Sequence, residues 1–274
     1  MCELFAMVSR HPTKVTFTFD AFAARGGREG PHCDGWGVAA YEGYDLRILR
    51  EPCPAARSAM VAFLHEHPLE ARIVLSHIRL ATMGARSLAE TQPVVRELGG
   101  RKHVFAHNGH VPGVFEDARF ALGCHRPVGT TDSEHAACAL FARLRPLWAG
   151  AEAPSKEQRH EVVAGFAREL AEHGPANFLY SDGELLFAHG HRRTHCDGPD
   201  GTKEIRPPGL HVLTRRCPVG GDHPPAFTGG GVALALGSEP VATEQRVVLL
   251  ASVPLTDEAW RPLEEGELLV IDAP

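Results

Sequence analysis

The order of its predicted elements is the feature that most limits what this chain can fold into, because strands gather toward both ends and helices fall in the middle. Strand patterns occupy 2–9, 36–41, 46–50, 72–78, 104–107, 177–181, 184–189, 210–214, 246–252 and 267–271. Helix patterns occupy 55–66, 131–144 and 155–172. This order is typical of a mixed α+β protein rather than of alternating βαβ units.

Length and composition are those of an ordinary globular protein. The chain has 274 residues, 43% hydrophobic and 23% charged, which is enough to bury a sizeable core. No internal repeat or clear linker interrupts it, so we predict one domain over 2–274. Residues 196–231 are dense in glycine and proline and are predicted to form a loop-rich insertion.

The charge and hydropathy patterns exclude several classes of protein. Net charge is −6 with both signs interspersed, and no basic stripe suggests nucleic-acid binding. No apolar run reaches the roughly eighteen residues of a membrane span, and no secretory signal opens the chain. The seven cysteines are widely spaced, which favours a reducing, cytoplasmic location over a disulfide framework.

The seventeen histidines invite a metal-site interpretation, which the spacing does not support. His65 and His67 end a helical pattern, and His189 and His191 leave a strand for a loop. A structural zinc site pairs close-spaced ligands with a second matching pair, and none is found. We therefore predict no metal and no other cofactor.

Cys2 is the candidate nucleophile. Removal of Met1, expected before a residue as small as cysteine, would leave Cys2 as the amino terminus. A terminal cysteine combines a thiol of pKa ~8.5 with an α-amine of pKa ~7.7–8.0, so the amine can take the thiol proton near neutral pH. An early cysteine is more often inert, and the case depends on the remaining chain.

Three further polar clusters lie on or near predicted strand ends, and each has an ordinary alternative explanation. Arg79 could be a surface ion-pair residue, Asn108-Gly109 could be a tight turn, and Asp132 could simply cap its helix. Together with Cys2 they supply the parts of a thiol amidohydrolase: a nucleophile with its own base, two oxyanion donors, a cation and an anion.

In this order the motifs resemble the class II glutamine amidotransferases, which are N-terminal-nucleophile hydrolases. The residues that carry the resemblance are Cys2, Asp34-Gly35-Trp36-Gly37, His77-x-Arg79-x-x-Thr82-x-Gly84, His107-Asn108-Gly109 and Thr131-Asp132-Ser133-Glu134. The second half of the chain resembles the short, stand-alone members more loosely. The resemblance implies a four-layer αββα sandwich, in which two antiparallel sheets lie face to face with helices outside.

The resemblance also implies a role for each site residue. Cys2 would attack the side-chain amide of glutamine, and Asn108 and Gly109 would form the oxyanion hole. Arg79 would grip the α-carboxylate and Asp132 the α-ammonium, a two-point clamp. Thr82 and the backbone near Gly84 would line the same pocket.

The other side chains of these motifs are expected to have structural roles. We expect Asp34 to act as a structural or supporting residue and Trp36 to lie in the core. His77, His107 and His110 are expected to pack or hydrogen-bond, because the α-amine would act as the base. Cys138, in an apolar helical pattern, should be buried.

The implied reaction is hydrolysis of glutamine to glutamate and ammonia through a γ-glutamyl thioester. Three points stay open. The substrate could be another γ-glutamyl amide, the chain could be a catalytically silent binding module, and the ammonia could pass to a separate synthase. A homodimer is suggested only by the family.

Overall fold

The computed structural model describes residues 1–17, 25–28, 30–196, 202–218, 227–229, 232–236 and 244–272. The strands in these ranges are β1 Glu3–Phe17, β2 Trp36–Glu42, β3 Asp45–Glu51, β4 Leu69–Ile78, β5 Val94–Leu98, β6 Arg101–Gly109, β7 Ala176–Ser181, β8 Leu185–His189, β9 Arg193–His195, β10 Glu204–Arg206, β11 His211–Pro218, β12 Phe227–Gly229, β13 Val232–Leu236, β14 Glu244–Ala251, β15 Arg261–Pro262 and β16 Leu268–Asp272. The α-helices are α1 Ala59–Glu66, α2 Asp132–Leu144 and α3 Lys156–Ala171.

The first strand is buried on both faces, which explains why it carries no polar alternation at its start. Leu4, Ala6 and Val8 belong to one core cluster, and Phe5 and Met7 belong to another. Side chains alternate between the two sides of a strand, so β1 has a core on each side of it. A strand in this position must lie in an inner layer of the fold.

That strand is central to a large antiparallel sheet. The hydrogen-bonded order is β15-β11-β14-β1-β4-β2-β3, and β13 pairs with the far end of β1 and with β12. The pairing of β1 with β4 shifts register between Val8 and Thr13. This irregularity accommodates Pro12, which cannot donate to a regular ladder.

A second antiparallel sheet lies against the first. Its order is β16-β8-β7-β6-β5, with β7 and β8 joined through Asp182 and Gly183 as the sequence predicts. Val104 and Ala106 of β6 share a core cluster with Ile73 and Leu75 of β4. This cluster is the apolar layer between the two sheets.

Helices cover the outer faces of both sheets. Val61 and Leu64 of α1 pack on the first sheet, and α2 and α3 pack on the second through residues such as Leu140 and Phe166. The layer order is therefore helix, sheet, sheet, helix. This confirms the four-layer αββα sandwich. No helix of the described residues is long and apolar enough to cross a membrane.

Several predicted boundaries are corrected by the structure. The strand predicted at 2–9 continues to Phe17, and β5 was not predicted. The helix predicted over 55–66 begins only at Ala59, because the Ser58 hydroxyl caps it by accepting a hydrogen bond from the N–H of Val61.

The predicted loop-rich segment 196–231 is described only in part. Within it, β11 pairs along its length with β14 and so belongs to the first sheet. Residues 197–201, 219–226 and 230–231 of this segment lie outside the described ranges.

Candidate active site

The alternation of side chains along the strands directs Cys2, His77 and Asn108 toward the layer between the two sheets. Cys2 has the parity of Leu4, and Asn108 has the parity of Ala106; both of these neighbours lie between the sheets. His77, the last odd-numbered residue of β4, follows Leu75 on the same face. The layer between the sheets thus ends in polar residues contributed by both of them.

The Cys2 thiol lies against the chain that leaves β4. Its Sγ is 3.4 Å from the backbone nitrogen of Leu80, which donates to it, and 3.5 Å from the Leu80 carbonyl oxygen. Burial raises the pKa of the Cys2 thiol, and the Leu80 hydrogen bond and the charge of Arg79 partly offset this. The charge of Asp132 raises the thiol pKa further, so both members of the predicted clamp lie within electrostatic reach of the sulfur.

Arg79 is buried at the start of the loop after β4. Its Nη1 donates to the carbonyl of Ala85 at 2.9 Å, and its Nη2 donates to the carbonyl of Met83 at 2.8 Å. A guanidinium has five N–H bonds, and among the described residues the other three have no hydrogen-bond partner. Arg79 therefore orders this loop.

Asp34 holds the same loop from the other side. Its carboxylate accepts from the backbone N–H of Ala81 at 2.9 Å and from Nη2 of Arg86 at 2.7 Å. Partial burial opposes ionisation, but these two hydrogen bonds prevail and lower the pKa of Asp34. The contacts agree with the supporting role expected for Asp34. Trp36 is buried in the core, also as expected.

Glu90 is a buried carboxylate that belongs to none of the sequence motifs. Its Oε1 accepts from both the N–H and the hydroxyl of Thr130, at 2.9 and 3.0 Å. A Cβ at Gly84 would lie 3.0 Å from Oε2, and one at Gly129 would lie 2.8 Å from it. Glu90 therefore joins the Arg79 loop to the segment that precedes α2. Gly84 has φ +74°, which also favours glycine.

The remaining predicted pocket residue, Thr82, is exposed on the Arg79 loop. No hydrogen bond of its side chain is found among the described residues.

Asp132 is buried in the first turn of α2, where negative charge is favoured by the helix dipole. Its Oδ1 accepts from the N–H of Ser133 at 2.8 Å, and its Oδ2 accepts from the N–H of Val111 at 2.7 Å. Nδ1 of His110 lies 3.4 Å from Oδ2. Thr131, rather than Asp132, caps the helix, so the capping alternative for Asp132 is not what the structure shows.

Asn108 and Gly109 end β6. The Asn108 side chain is fully buried; its Nδ2 lies 3.2 Å from the hydroxyl of Ser252, and its Oδ1 has no partner among the described residues. The Ser252 hydroxyl also accepts from the N–H of Leu4 at 3.0 Å. Ser252 thus links the strand that follows Cys2 to Asn108, a contact between residues 248 apart that no local pattern signals.

Gly109 has no room for a side chain. A Cβ would lie 1.8 Å from the carbonyl oxygen of Pro175 and 2.5 Å from Nε2 of His107. Any other residue would displace the end of β6, so glycine is needed here for close backbone approach.

Among the described residues, no hydrogen bond joins a histidine of the motifs to the Cys2 thiol. His77 is buried between the sheets, where desolvation lowers its pKa to about 3, with Arg79 acting in the same direction. His107 lies on the other face of β6, with its Nδ1 2.8 Å from the Ser133 hydroxyl, and burial lowers its pKa. In the part of the chain that the structure describes, no histidine hydrogen-bonds Cys2, so a Cys-His dyad is not found there.

No group of three or more metal-ligating side chains gathers within the described residues. Cys138 is buried as predicted, and its thiol is unpaired, as are those of Cys2, Cys33, Cys53, Cys124 and Cys196.

Two facing antiparallel sheets flanked by helices, with a cysteine immediately before the central strand, define the N-terminal-nucleophile hydrolase fold. A family model described as "Glutamine amidotransferases class-II" matches residues 1–273. The chain belongs to the class II glutamine amidotransferases.

Individual relatives agree with this assignment. The chain is 33% identical over 268 residues to the Escherichia coli (strain K12) protein named "Putative glutamine amidotransferase YafJ", covering 97% of this chain and 96% of that one. A crystal structure of a predicted glutamine amidotransferase from Pseudomonas aeruginosa PA01 is 32% identical, with a TM-score of 0.68, over 99% of this chain and 98% of that one.

A more distant likeness bears on the fold alone. Glutamine phosphoribosylpyrophosphate amidotransferase from B. subtilis is 14% identical, with a TM-score of 0.57, over 99% of this chain and 47% of that one.

Proposed function

We propose that the chain, once Met1 is removed, hydrolyses glutamine to glutamate and ammonia through a γ-glutamyl thioester on Cys2. The observation that carries the proposal is the electrostatic setting of the thiol. The thiol accepts a hydrogen bond from the backbone N–H of Leu80, the residue that follows Arg79. The positive charge of Arg79 and the negative charge of Asp132 both affect the pKa of the thiol. An amino acid whose α-carboxylate and α-ammonium are bound by those two charges would present its side-chain amide to the sulfur.

The reaction follows from these groups. The α-amine of Cys2 takes the thiol proton, and the sulfur attacks the amide carbon to form a tetrahedral oxyanion. The resulting ammonium returns the proton to the departing nitrogen, which leaves as ammonia, and the acyl group remains as a thioester. Water, deprotonated by the amine, then attacks the thioester, and glutamate leaves as the proton returns to sulfur.

The proposal assigns the oxyanion hole to Asn108 and Gly109, and the hydrogen bonding around Ser252 supports a particular orientation of the amide. Ser252 Oγ already accepts from Leu4 N–H, so its own proton is free to be donated. Turning the Asn108 amide over would let that proton pair with Oδ1, which otherwise has no partner among the described residues. Nδ2 would then be released as a donor to the oxyanion.

The wider setting is part of the same proposal. Residues 2–274 are taken as one catalytic domain, which the extent of the family match supports. The unpaired state of those six cysteines supports a reducing compartment, the cytoplasm. Class II amidotransferases use glutamine as an ammonia source, and we infer that a separate synthase accepts the ammonia here.

Release of glutamate and ammonia from glutamine by the processed protein tests the proposal. A Cys2→Ser variant and a chain with an extra residue before Cys2 are the matched controls, since the first replaces the thiol and the second blocks the α-amine. Turnover should be abolished or strongly reduced in both. Equal turnover in either control would contradict the assigned nucleophile or base.

The same assay separates the substrate alternatives. Turnover of a larger γ-glutamyl amide in preference to glutamine would indicate an amidase for that compound, which would bind its glutamyl end through the same two charged residues. Binding of glutamate without turnover of any amide would favour the silent binding module.

A further inference from the structure

His32 lies beside the peptide bond that must be cut to expose the Cys2 amine. Its Nε2 is 2.7 Å from the carbonyl oxygen of Met1, and its Nδ1 is 3.1 Å from the carbonyl oxygen of Arg25. The Met1 oxygen and the Cys2 nitrogen belong to one peptide unit and are about 2.2 Å apart. His32 is buried, and none of the motif roles described above uses it.

Contacts with the surrounding chain fix the position of the His32 ring. A Cβ at Gly30 would lie 2.6 Å from the Arg25 carbonyl oxygen and 3.1 Å from His32 Nδ1, so the turn closes over the ring only with glycine there. Arg25 in turn forks the carboxylate of Glu3 with bonds of 2.6 and 2.7 Å. The ring is therefore fixed by contacts to the strand that carries Cys2.

The two carbonyl neighbours determine the protons on the ring. A carbonyl oxygen only accepts, so a ring nitrogen that hydrogen-bonds to one of them must carry a proton. Once Met1 leaves, only the Arg25 carbonyl remains, and it holds the proton on Nδ1. The lone pair of Nε2 is then free, on the side where the new amino terminus lies.

We propose that in the processed protein His32 is the positioning residue for the Cys2 α-amine, accepting one of its N–H bonds at Nε2. This rests on the proposed function, in which that amine is the base. A neutral amine has two N–H bonds and one lone pair. Holding one N–H against His32 limits rotation about the Cα–N bond and directs the lone pair to the thiol.

The charged and titratable groups that face His32 come from three parts of the chain. Glu3 Oε1 of β1 lies 4.0 Å from Nε2, Arg25 lies on the other side of that carboxylate, and His77 of β4 is within electrostatic reach. Glu3 and Arg25 neutralise each other, so the ring faces a nearly balanced pair. A shift in the pH profile that both His32→Asn and His32→Gln show would report removal of the imidazole itself, whereas a shift confined to His32→Asn reports the lost hydrogen-bond acceptor.

Two substitutions separate positioning from packing. His32→Asn places an amide nitrogen where Nδ1 was, which keeps the Arg25 contact and removes the group that faces the amine. His32→Gln places an amide oxygen near the former Nε2 and keeps an acceptor for the amine. His160→Asn, at an exposed histidine of α3, is the control. Each variant should be cut from a fusion protein by a protease that leaves Cys2 as the first residue, so that the variants do not differ in the extent of Met1 removal.

The expected result is a fall in kcat for glutamine of about tenfold or more in His32→Asn, with KM little changed, since positioned proton transfer contributes about 10²–10⁴-fold. In the same variant, alkylation of Cys2 by iodoacetamide should reach a given rate only at a higher pH. His32→Gln should retain most of both properties. Wild-type kcat and an unchanged alkylation profile in His32→Asn, or equal losses in both variants, would overturn the proposal.

Failure of the proposed function looks different. If the processed wild type does not turn over glutamine, the glutaminase is refuted, yet the alkylation profiles still test whether His32 governs the amine–thiol pair. If turnover is present and the profiles of wild type and His32→Asn coincide, only the role of His32 is refuted.

Discussion

The carboxylate of Asp132 accepts a hydrogen bond of 2.7 Å from the backbone N–H of Val111. This contact joins the first turn of α2 to the chain just beyond Gly109, so the proposed anion of the substrate clamp is tied to the proposed oxyanion hole. Under the proposed function Asp132 would have two roles, a structural one through its Oδ2 and an electrostatic one through its charge, and substitution can separate them.

Asp132→Asn should keep an acceptor for Val111 while removing the charge. We expect KM for glutamine to rise by about tenfold to a hundredfold, because a hydrogen bond to a charged group contributes about 1.5–3 kcal/mol. Unfolding free energy should change little. Steady-state kinetics and urea unfolding of the Asn and Ala variants measure both effects.

Asp132→Ala provides the contrast, because it also leaves the Val111 N–H without its acceptor. This variant should lose stability as well as substrate affinity. An unchanged KM in Asp132→Asn would remove Asp132 from the clamp.

Arg79→Lys should raise KM for glutamine by about tenfold or more, because lysine cannot fork a carboxylate with two parallel hydrogen bonds. The variant should also lower kcat, since the Met83 and Ala85 carbonyls lose the donors that order their loop. The control is Arg47→Lys, at an exposed ion pair with Glu42. If the two lysine variants have the same KM, Arg79 does not bind the substrate carboxylate.

Ser252→Ala should reduce kcat and stability together. It leaves the buried Leu4 N–H and the Asn108 amide without their shared partner, and a buried unsatisfied group costs about 1–3 kcal/mol. A double-mutant cycle with Asn108→Ala is the measurement, and residues in one hydrogen-bond network typically couple by about 0.5–3 kcal/mol. Additive effects on kcat would show that Ser252 does not act through Asn108.

Local signals in the sequence predicted the elements that local chemistry determines. The capping box of Ser155 and Gln158 marks the start of α3, and both of its hydrogen bonds are present. β5 was missed because Arg96 and Glu97 interrupt its apolar pattern, and it is a strand because it pairs with β6. In this case tertiary pairing outweighs local propensity.

The same distinction between local and long-range signals applies to the candidate site residues. Residues in short motifs, such as Arg79 and Asn108, were singled out from the sequence. In the structure Asn108 faces the layer between the sheets, and Arg79 lies in the loop after β4. Ser252 and Glu90 were missed because each acts through a partner distant in the chain, Leu4 and Thr130 respectively. No periodicity or spacing reports such a contact, which depends on how the two sheets face each other.

Buried histidines away from the site predict an acid-sensitive fold. Desolvation lowers the pKa of His103 to about 4, against about 6.5 in the unfolded chain. The unfolded state therefore binds more protons between these values, and stability falls as pH decreases from about 6.5 to about 4. His103→Leu should flatten the slope of unfolding free energy against pH by about 1.4 kcal/mol per pH unit near pH 5.

Urea unfolding at several pH values checks this, and the slope is the readout because the substitution also changes packing. The same comparison for His160→Asn, an exposed position, should show the wild-type slope. A His103→Leu slope equal to that of the wild type would mean that His103 titrates alike in both states.

The most direct test of the central claim is the intact mass of the purified protein before and after treatment with a diazoketone analogue of glutamine. We expect a chain without Met1 that gains one adduct, located on Cys2 and absent from Cys2→Ala. It also predicts that excess glutamate slows the labelling, because both ligands use Arg79 and Asp132. A chain that retains Met1, or a processed chain that gains no adduct on Cys2, would contradict the proposal that Cys2 is the nucleophile of a glutamine-binding site.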